Sequence, residues 1–357
     1  MTETEEAADA PEVPGAGVRR PTMKDVAALA GVSLSTVSRV VNGDPGRPDL
    51  AERVQRAVDL LGYQRDLTAS MLRRADRASA SIGLLVADVG NPFFAAVLRG
   101  VEDVARGRHS LTIAGSSDED PHRERELGAA LIARRVDGLI IVPTGADDSY
   151  LLAERQAGVP LAFVDRPPRY LDADVVLSDN VGGAGAAVRH LLDRGHTRIA
   201  FLGDRQRIFT SRERLRGYRE ALLAAGTGVD EALIRLELDT SAAAAAATRE
   251  LLTAAEPPTA VLASQNLVTV GAVHALWSLG CQHEVAFVGF DDVPLADVLD
   301  PGITVVTQQP VALGQRAAEL LFDRIDGYAG PTRSVVVPTG LVVRGSGELP
   351  PRSSGRR

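Results

Sequence analysis

Polar and charged residues stand directly after apolar runs at several points of this chain. Asp88 and the string Asn91-Pro-Phe93-Phe94 follow the run beginning SIGLLV, Asp165-Arg166 follows PLAFV, and Asp291-Asp292 follows VAFVGF. Such groups at the ends of buried strands can hydrogen-bond a polar ligand, although each alone also fits a polar turn. Nothing comparable points to catalysis. There is no Walker A loop, no G-x-S-x-G and no H-E-x-x-H, and His196, His274 and His283 lack metal-ligand spacing. With the single cysteine Cys281, neither an intramolecular disulfide nor a cysteine metal cluster is available. Val181-Gly-Gly-Ala-Gly185 opens a helix after a strand, but it misses the G-x-G-x-x-G register, so an NAD(P)-dependent oxidoreductase is disfavoured. The expectation is a chain that is not an enzyme and needs no cofactor or metal.

The elements that position these residues are legible from texture. From Ile82 onward, strand-like runs alternate with amphipathic helical segments: SIGLLVADV, LTIAGSS, GLIIVPT and PLAFVD, then a second series beginning near DVVLSD and continuing through RIAFLGD, LIRLEL, TAVLAS and VAFVGFDD. Buried strands alternating with helices imply parallel sheets covered on both faces, and two series imply two doubly wound lobes with a cleft at their strand ends. The fold class is therefore α/β, with an all-α head in front. In that head Thr22-Met-Lys-Asp25 fits a capping box, Gly31 supplies a tight helix-to-helix turn, and Ser33 can cap the helix Leu34 to Val41. Val37, Val40 and Val41 can face inward, leaving Leu34, Ser35 and Arg39 pointing out. A third helix carries Leu50, Val54, Ala57, Val58 and Leu61 and stops at Gly62. Three short helices with a glycine turn between the first two read as a helix-turn-helix.

Charge is distributed accordingly. The net charge is −8, yet residues 19–77 carry eleven basic and seven acidic side chains, while residues 1–18 carry five acids and no base. A basic head on an acidic body suits phosphate binding through the head alone. No apolar run approaches the roughly 20 residues that span a bilayer, and residues 1–18 lack the apolar core of a signal peptide, so the expected location is cytoplasmic. A secreted or periplasmic sugar-binding transport protein would account for the lobes but not for the basic head.

The string TMKDVAALAGVSLSTVSRVVNG, followed by Gly62-Tyr63, Ala69 and Leu72, resembles the N-terminal signature of the lactose/galactose repressor (LacI/GalR) family, and the resemblance extends to about Gly345. It implies an inverted-repeat DNA operator read by a homodimer, and a small-molecule effector, a monosaccharide or derivative, bound between two periplasmic-binding-protein-like lobes. Position by position, Leu34, Ser35 and Arg39 match base-reading sites, Arg39 being able to hold a guanine bidentately. Thr22, Ser33, Thr36, Ser38 and Asn42 match phosphate-contacting or capping sites, and Arg47 is the best loop candidate for phosphate. Leu67 to Arg74 matches the family's hinge helix, with Leu72 at the position of a minor-groove wedge. In the body, Asn91, Phe93, Phe94, Asp165, Arg166, Arg214, Gln265, Asp291 and Gln308 match the effector cleft. The aromatic faces suit a pyranose ring, and the charged groups suit its hydroxyls.

The implied organisation is a disordered tail over 1–20, the helix-turn-helix domain over 21–66, hinge and linker over 67–79, the effector domain over 80–345 and a disordered tail over 346–357. Three departures from the family pattern stand out. Arg65-Asp66 replaces Pro-Asn, Gln265-Asn266 replaces Asn-Asp, and no aromatic stands near Asp239–Ser241. GSGELPPRSSGRR has no apolar heptad, so a dimer is expected and not a tetramer.

Overall fold

The computed structural model describes residues 21–41, 43–44, 46–63 and 79–352. The chain divides into two compact units at Arg77/Ala78. Asn42, Arg65, Asp66, the expected hinge Leu67–Arg74 and its Leu72 lie outside the described residues.

The head is three helices, α1 (Met23–Ala30), α2 (Leu34–Val41) and α3 (Pro48–Leu61). Asp25 starts α1 by accepting from both the backbone N–H and the hydroxyl of Thr22, at 2.7 Å each. Gly31 ends it at φ +62°, a left-handed conformation that a side chain would strain. Arg53 of α3 reaches back to the carbonyls of Ala30 and Gly31 at 2.6 and 3.2 Å, tying the α1–α2 turn to the third helix. Val26, Ala30, Val37, Val54 and Ala57 form the small core.

The body holds two sheets. Strands β1 (Ser81–Val86), β2 (Leu111–Ser116), β3 (Leu139–Ile141), β4 (Leu161–Val164), β5 (Asp174–Ser178) and β11 (Ser334–Val337) form the first, in order β11-β5-β4-β3-β1-β2 with every pair parallel. The second contains β6 (Ile199–Leu202), β7 (Ile234–Arg235), β8 (Ala260–Ala263), β9 (Ala286–Phe290), β10 (Thr304–Thr307) and β12 (Gly340–Val342), in order β12-β10-β9-β8-β6-β7, with only β12 antiparallel. The central strands β1, β3, β4, β8 and β9 are buried along their whole length, as strands covered by helices on both faces must be. The covering helices are α4 (Pro92–Gly107), α5 (Pro121–Ala133), α6 (Leu152–Gln156), α7 (Asn180–Leu192), α8 (Phe209–Ala224), α9 (Ser241–Leu252), α10 (Asn266–Ser278) and α11 (Pro310–Ile325).

Neighbouring helices approach through glycines. A Cβ on Gly100 of α4 would meet the Val311 carbonyl oxygen of α11 at 2.1 Å, and one on Gly314 of α11 would meet Val97 O at the same distance. In the second lobe a Cβ on Gly217 of α8 would meet Val181 O of α7 at 2.3 Å, and one on Gly271 of α10 would meet Ser241 O of α9 at 2.2 Å. Glycines of the Val181–Gly185 run serve close packing: Gly183 faces Val306 of β10 and Thr339, Gly185 faces Gly217 of α8, and Gly182 sits under the Asp179 cap.

Two expectations are corrected. The strand DVVLSD does not open the second lobe. It is β5, hydrogen-bonded between β4 and β11 of the first sheet, and the chain first crosses at Asp179. Two later crossings, between β10 and α11 and between β11 and β12, return the chain to the first lobe and then to the second. The tail expected to be disordered from residue 346 is packed as far as Arg352. Ser346 and Gly347 are buried, Ser346 Oγ donates to Phe287 O, Glu348 pairs with His190 and Arg194, and buried His196 meets the Leu349 carbonyl at 2.8 Å.

Candidate functional site

In the body, the ends of the strands converge on a cleft of about 380 Å³ lined by both lobes. Its frame is a repeated backbone device. Asp165 follows β4 at φ +71° and Asp291 follows β9 at φ +67°, both in the left-handed region that side chains usually avoid. Each N–H donates at 2.9 Å to a carbonyl of the adjoining strand, Val176 O and Val306 O. The two sheets thus turn out an aspartate in the same way, facing one cavity from opposite sides. Strained residues of this kind persist where surrounding structure over-determines them, and they concentrate at ligand sites.

Arg214 lies in this cavity, only 5% exposed. Helix α8 delivers it, and three contacts fix its plane: Nε donates to Asn180 Oδ1 at 2.7 Å, Nη1 donates to Ser264 O at 2.6 Å, and the guanidinium stacks over Phe290 at 3.8 Å. Burial pushes its pKa down, while Asp291 and Asp165 push it back up. Conversely, burial raises both carboxyls; Arg166 and then Arg214 hold Asp165 down, and Arg214 holds Asp291 down. Arg166 is equally buried. It holds Glu119 bidentately at 2.6 and 3.0 Å, donates to Pro143 O and touches Asp165 at 3.3 Å. Asp204, raised by burial, adds a further carboxylate to the lining.

Polar bridges join the lobes across the cleft. Asn266 Nδ2 donates to Asn91 Oδ1 at 2.7 Å, and Arg207 donates to the carbonyls of Thr144 and Glu119 at 3.0 and 3.2 Å. Thr144 is itself held from behind by buried Glu124, which accepts its N–H at 2.6 Å.

All nine body residues expected from sequence line the cleft. Several carry structural duties as well. Phe94 is buried in the first lobe's core, edge-on to the less buried Phe93 with ring centroids 5.1 Å apart. Asn91 and Gln265 cap α4 and α10 by accepting the N–H groups of Phe93 and Leu267. Gln265 therefore offers the cavity less than its position promises, and Asn266 makes the contact across the lobes. Gln308 donates to Asp291, leaving its own Oε1 buried without a partner. Glu119, Asn180, Asp204 and Asn266 went unread as site residues. The acid cluster after LTIAGSS was the available signal for Glu119.

In the head, Leu34, Ser35 and Arg39 are exposed on α2, as a reading face requires. Ser33 serves as a cap, accepting Thr36 N–H at 3.2 Å and sharing hydroxyl hydrogen bonds with Ser35 and Thr36 at 2.8 Å. Thr22 is exposed beside Asp25, and Thr36 and Ser38 are half-buried. Arg47 is exposed but engaged by Asp49 through two hydrogen bonds, 2.8 and 3.2 Å, which a phosphate would have to displace.

A helix-turn-helix unit and a two-lobed body with a charged cleft are the two parts of a DNA-binding transcriptional regulator. Residues 22–66 match the family described as bacterial regulatory proteins, lacI family, and residues 188–347 match a periplasmic binding protein-like domain. The HTH-type transcriptional regulator CelR of Thermobifida fusca is 37% identical over 339 residues, covering 92% of this chain and 99% of that protein. Among solved structures, a transcriptional regulator CelR–cellobiose complex aligns over 92% of this chain and all of its own, at 36% identity and TM-score 0.69. The lac repressor dimer bound to operator and the anti-inducer ONPF aligns over 92% and 99%, at 25% identity and TM-score 0.81. The chain belongs to the LacI family of bacterial regulatory proteins. Among the described residues, no helix is long and apolar enough to cross a membrane.

Proposed function

We propose that the chain is a cytoplasmic, homodimeric repressor that is not an enzyme, and whose affinity for an inverted-repeat operator is set by a sugar-like effector in the body cleft. The observation that carries the reading is Arg214, a buried guanidinium between two left-handed aspartates at matching ends of two sheets. Carboxylates and a fixed guanidinium make charge-assisted hydrogen bonds to hydroxyls, and they discriminate by position because none can relax into water. Asp165, Arg166, Arg214 and Asp291 hold the hydroxyls, Phe93 offers an apolar face, and Asn91, Phe94, Gln265 and Gln308 shape the walls. The cellobiose in the CelR complex and the operator in the lac repressor complex are consistent with this division of labour.

On DNA, α2 enters the major groove, with Arg39 on a guanine and Leu34 and Ser35 on neighbouring bases. Thr22, Ser33, Thr36, Ser38, Asn42 and Arg47 serve the phosphates, and Leu72 is the minor-groove wedge. Two identical heads on a two-fold dimer read a palindrome. Selection of bound duplexes from a random-sequence library tests this. An inverted repeat should emerge, and Arg39→Ala should cost about 1–3 kcal/mol and relax one base position in each half-site. Unchanged affinity and an unchanged selected sequence would remove Arg39 from the reading face.

A further inference from the structure

A second chamber of about 430 Å³ adjoins the polar cleft, so each of the two is large enough to be a small-ligand site by itself, roughly 300–1,000 Å³. They share a wall made of Phe93, Asn266, Leu267, Asp291 and Gln308. Beyond that wall their chemistry diverges. The second chamber is lined by Pro92, Ala96, Val270, Val293, Pro294 and Pro310, and holds no arginine or lysine. Its other carboxylate, Asp292, is already engaged by Arg344 at 2.7 and 2.8 Å. On the shared wall, Gln308 has one amide atom committed to Asp291 and the other, Oε1, buried without a partner. A hydroxyl of a ligand spanning the wall would satisfy that orphaned acceptor.

The first chamber carries seven carboxylates against three arginines, and two of those arginines are already hydrogen-bonded. Arg166 is held by Glu119 and Arg214 donates to Asn180 and the Ser264 carbonyl, while Arg205 lies 3.6 Å from Asp204 with its buried Nε not hydrogen-bonded. A phosphate or carboxylate entering here would find two committed guanidinium groups, one of them bound to a carboxylate, and a surplus of negative charge in a buried space that Arg205 alone does not offset, where charge repulsion is weakly screened.

Resting on the sugar reading above, we infer that the effector is an uncharged two-ring glycoside. One polyhydroxylated ring lies among Asp165, Arg214 and Asp291, and a second sugar ring or aryl aglycone occupies the apolar chamber past Gln308. Sugar phosphates and sugar acids are turned away. Pyranose and aryl rings present C–H or π faces that the prolines, valines and Phe93 can cover.

Calorimetric titration of the full-length protein tests the inference. The probes are glucose, galactose and ribose, the disaccharides cellobiose, maltose and lactose, p-nitrophenyl glucosides, and the 6-phosphates of glucose and cellobiose. At least one neutral two-ring probe should bind tenfold or more tighter than its parent monosaccharide, about 1.4 kcal/mol per tenfold, and each 6-phosphate should bind weaker than its neutral parent. Val270→Trp fills the second chamber from a side chain that is 46% exposed on α10. It should erase the two-ring advantage and leave the monosaccharide Kd unchanged. Equal affinity for one and two rings, tighter binding of a 6-phosphate, or an unaffected two-ring Kd in Val270→Trp would overturn the inference while leaving the sugar reading intact. Absence of binding by every sugar would overturn both.

Discussion

Replacing Arg214 by methionine keeps most of the side-chain volume and removes the charge and both donated hydrogen bonds. Asn180 Oδ1 and Ser264 O then lose their donor, a penalty of about 1–3 kcal/mol for each buried acceptor left unpaired. Asp291 loses the cation that holds it down, and Asp165 keeps Arg166 but loses the second of its two cations. Removing one member of a buried charge cluster costs about 3–5 kcal/mol altogether, because these terms overlap and do not add. For a body of this size the loss corresponds to a fall in Tm of about 6–20 °C. The loss must depend on pH. Both carboxyls already sit above the ordinary value of 3.8 in the folded protein, so the folded chain binds protons that the unfolded chain releases. Their ionisation therefore costs stability as pH rises through the folded value, and the cost disappears below 3.8. Without Arg214 both folded values rise further. Thermal unfolding of wild type and Arg214→Met should show a larger gap at pH 8 than at pH 5, together with loss of effector binding. A gap of the same size at both pH values would refute the argument that Arg214 compensates the two carboxylates.

Two further substitutions probe the frame around the cleft. Asp174 is fully buried in the first lobe, where Arg324 and Arg333 hold its carboxyl at about 2 through hydrogen bonds of 2.9 Å. Asp174→Asn should cost about 3–5 kcal/mol in urea unfolding at pH 7, and the difference from wild type should shrink as pH falls from 3.8 through about 2. Gly100→Ala places a methyl 2.1 Å from the Val311 carbonyl oxygen. Although alanine favours the helix by about 1 kcal/mol, overpacking of about 1–3 kcal/mol should prevail, and a stabilised protein in the same unfolding assay would contradict the close α4–α11 contact.

Local sequence carried much of the architecture because the head is built from local signals. The capping pair Thr22/Asp25, the left-handed Gly31 and the outward positions of α2 all follow from neighbours within a few residues. The aspartates at strand ends were equally readable, since alternating buried strands and helices place their carboxyl ends at a cleft. What could not be read is non-local. Nothing in DVVLSD distinguishes a first-lobe strand from a second-lobe one, because its sheet is set by pairing with β4 and with β11, the latter more than 150 residues later in the chain. The strands β11 and β12 are short, partly exposed edge strands, and their apolar residues do not tell which sheet each one joins. The residues 346–352 look like a linker by composition, yet His190, Arg194 and His196 supply distant partners that order them. Glu119 and Asn266 enter the site only because they meet Arg166 and Asn91 across the fold.

The central claim is that one ligand in the cleft controls the head's affinity for DNA, and linkage tests it most directly. A duplex selected by the protein is titrated with wild type, with and without a saturating sugar found by calorimetry, and the sugar is titrated with and without the duplex. The account predicts a change of about 5–150-fold in DNA affinity and the same factor in sugar affinity, since coupling is reciprocal. Leu72→Ala should diminish both factors while leaving sugar binding by the DNA-free protein unchanged. A sugar that binds tightly in the cleft and leaves the DNA affinity of wild type unaltered would contradict the account.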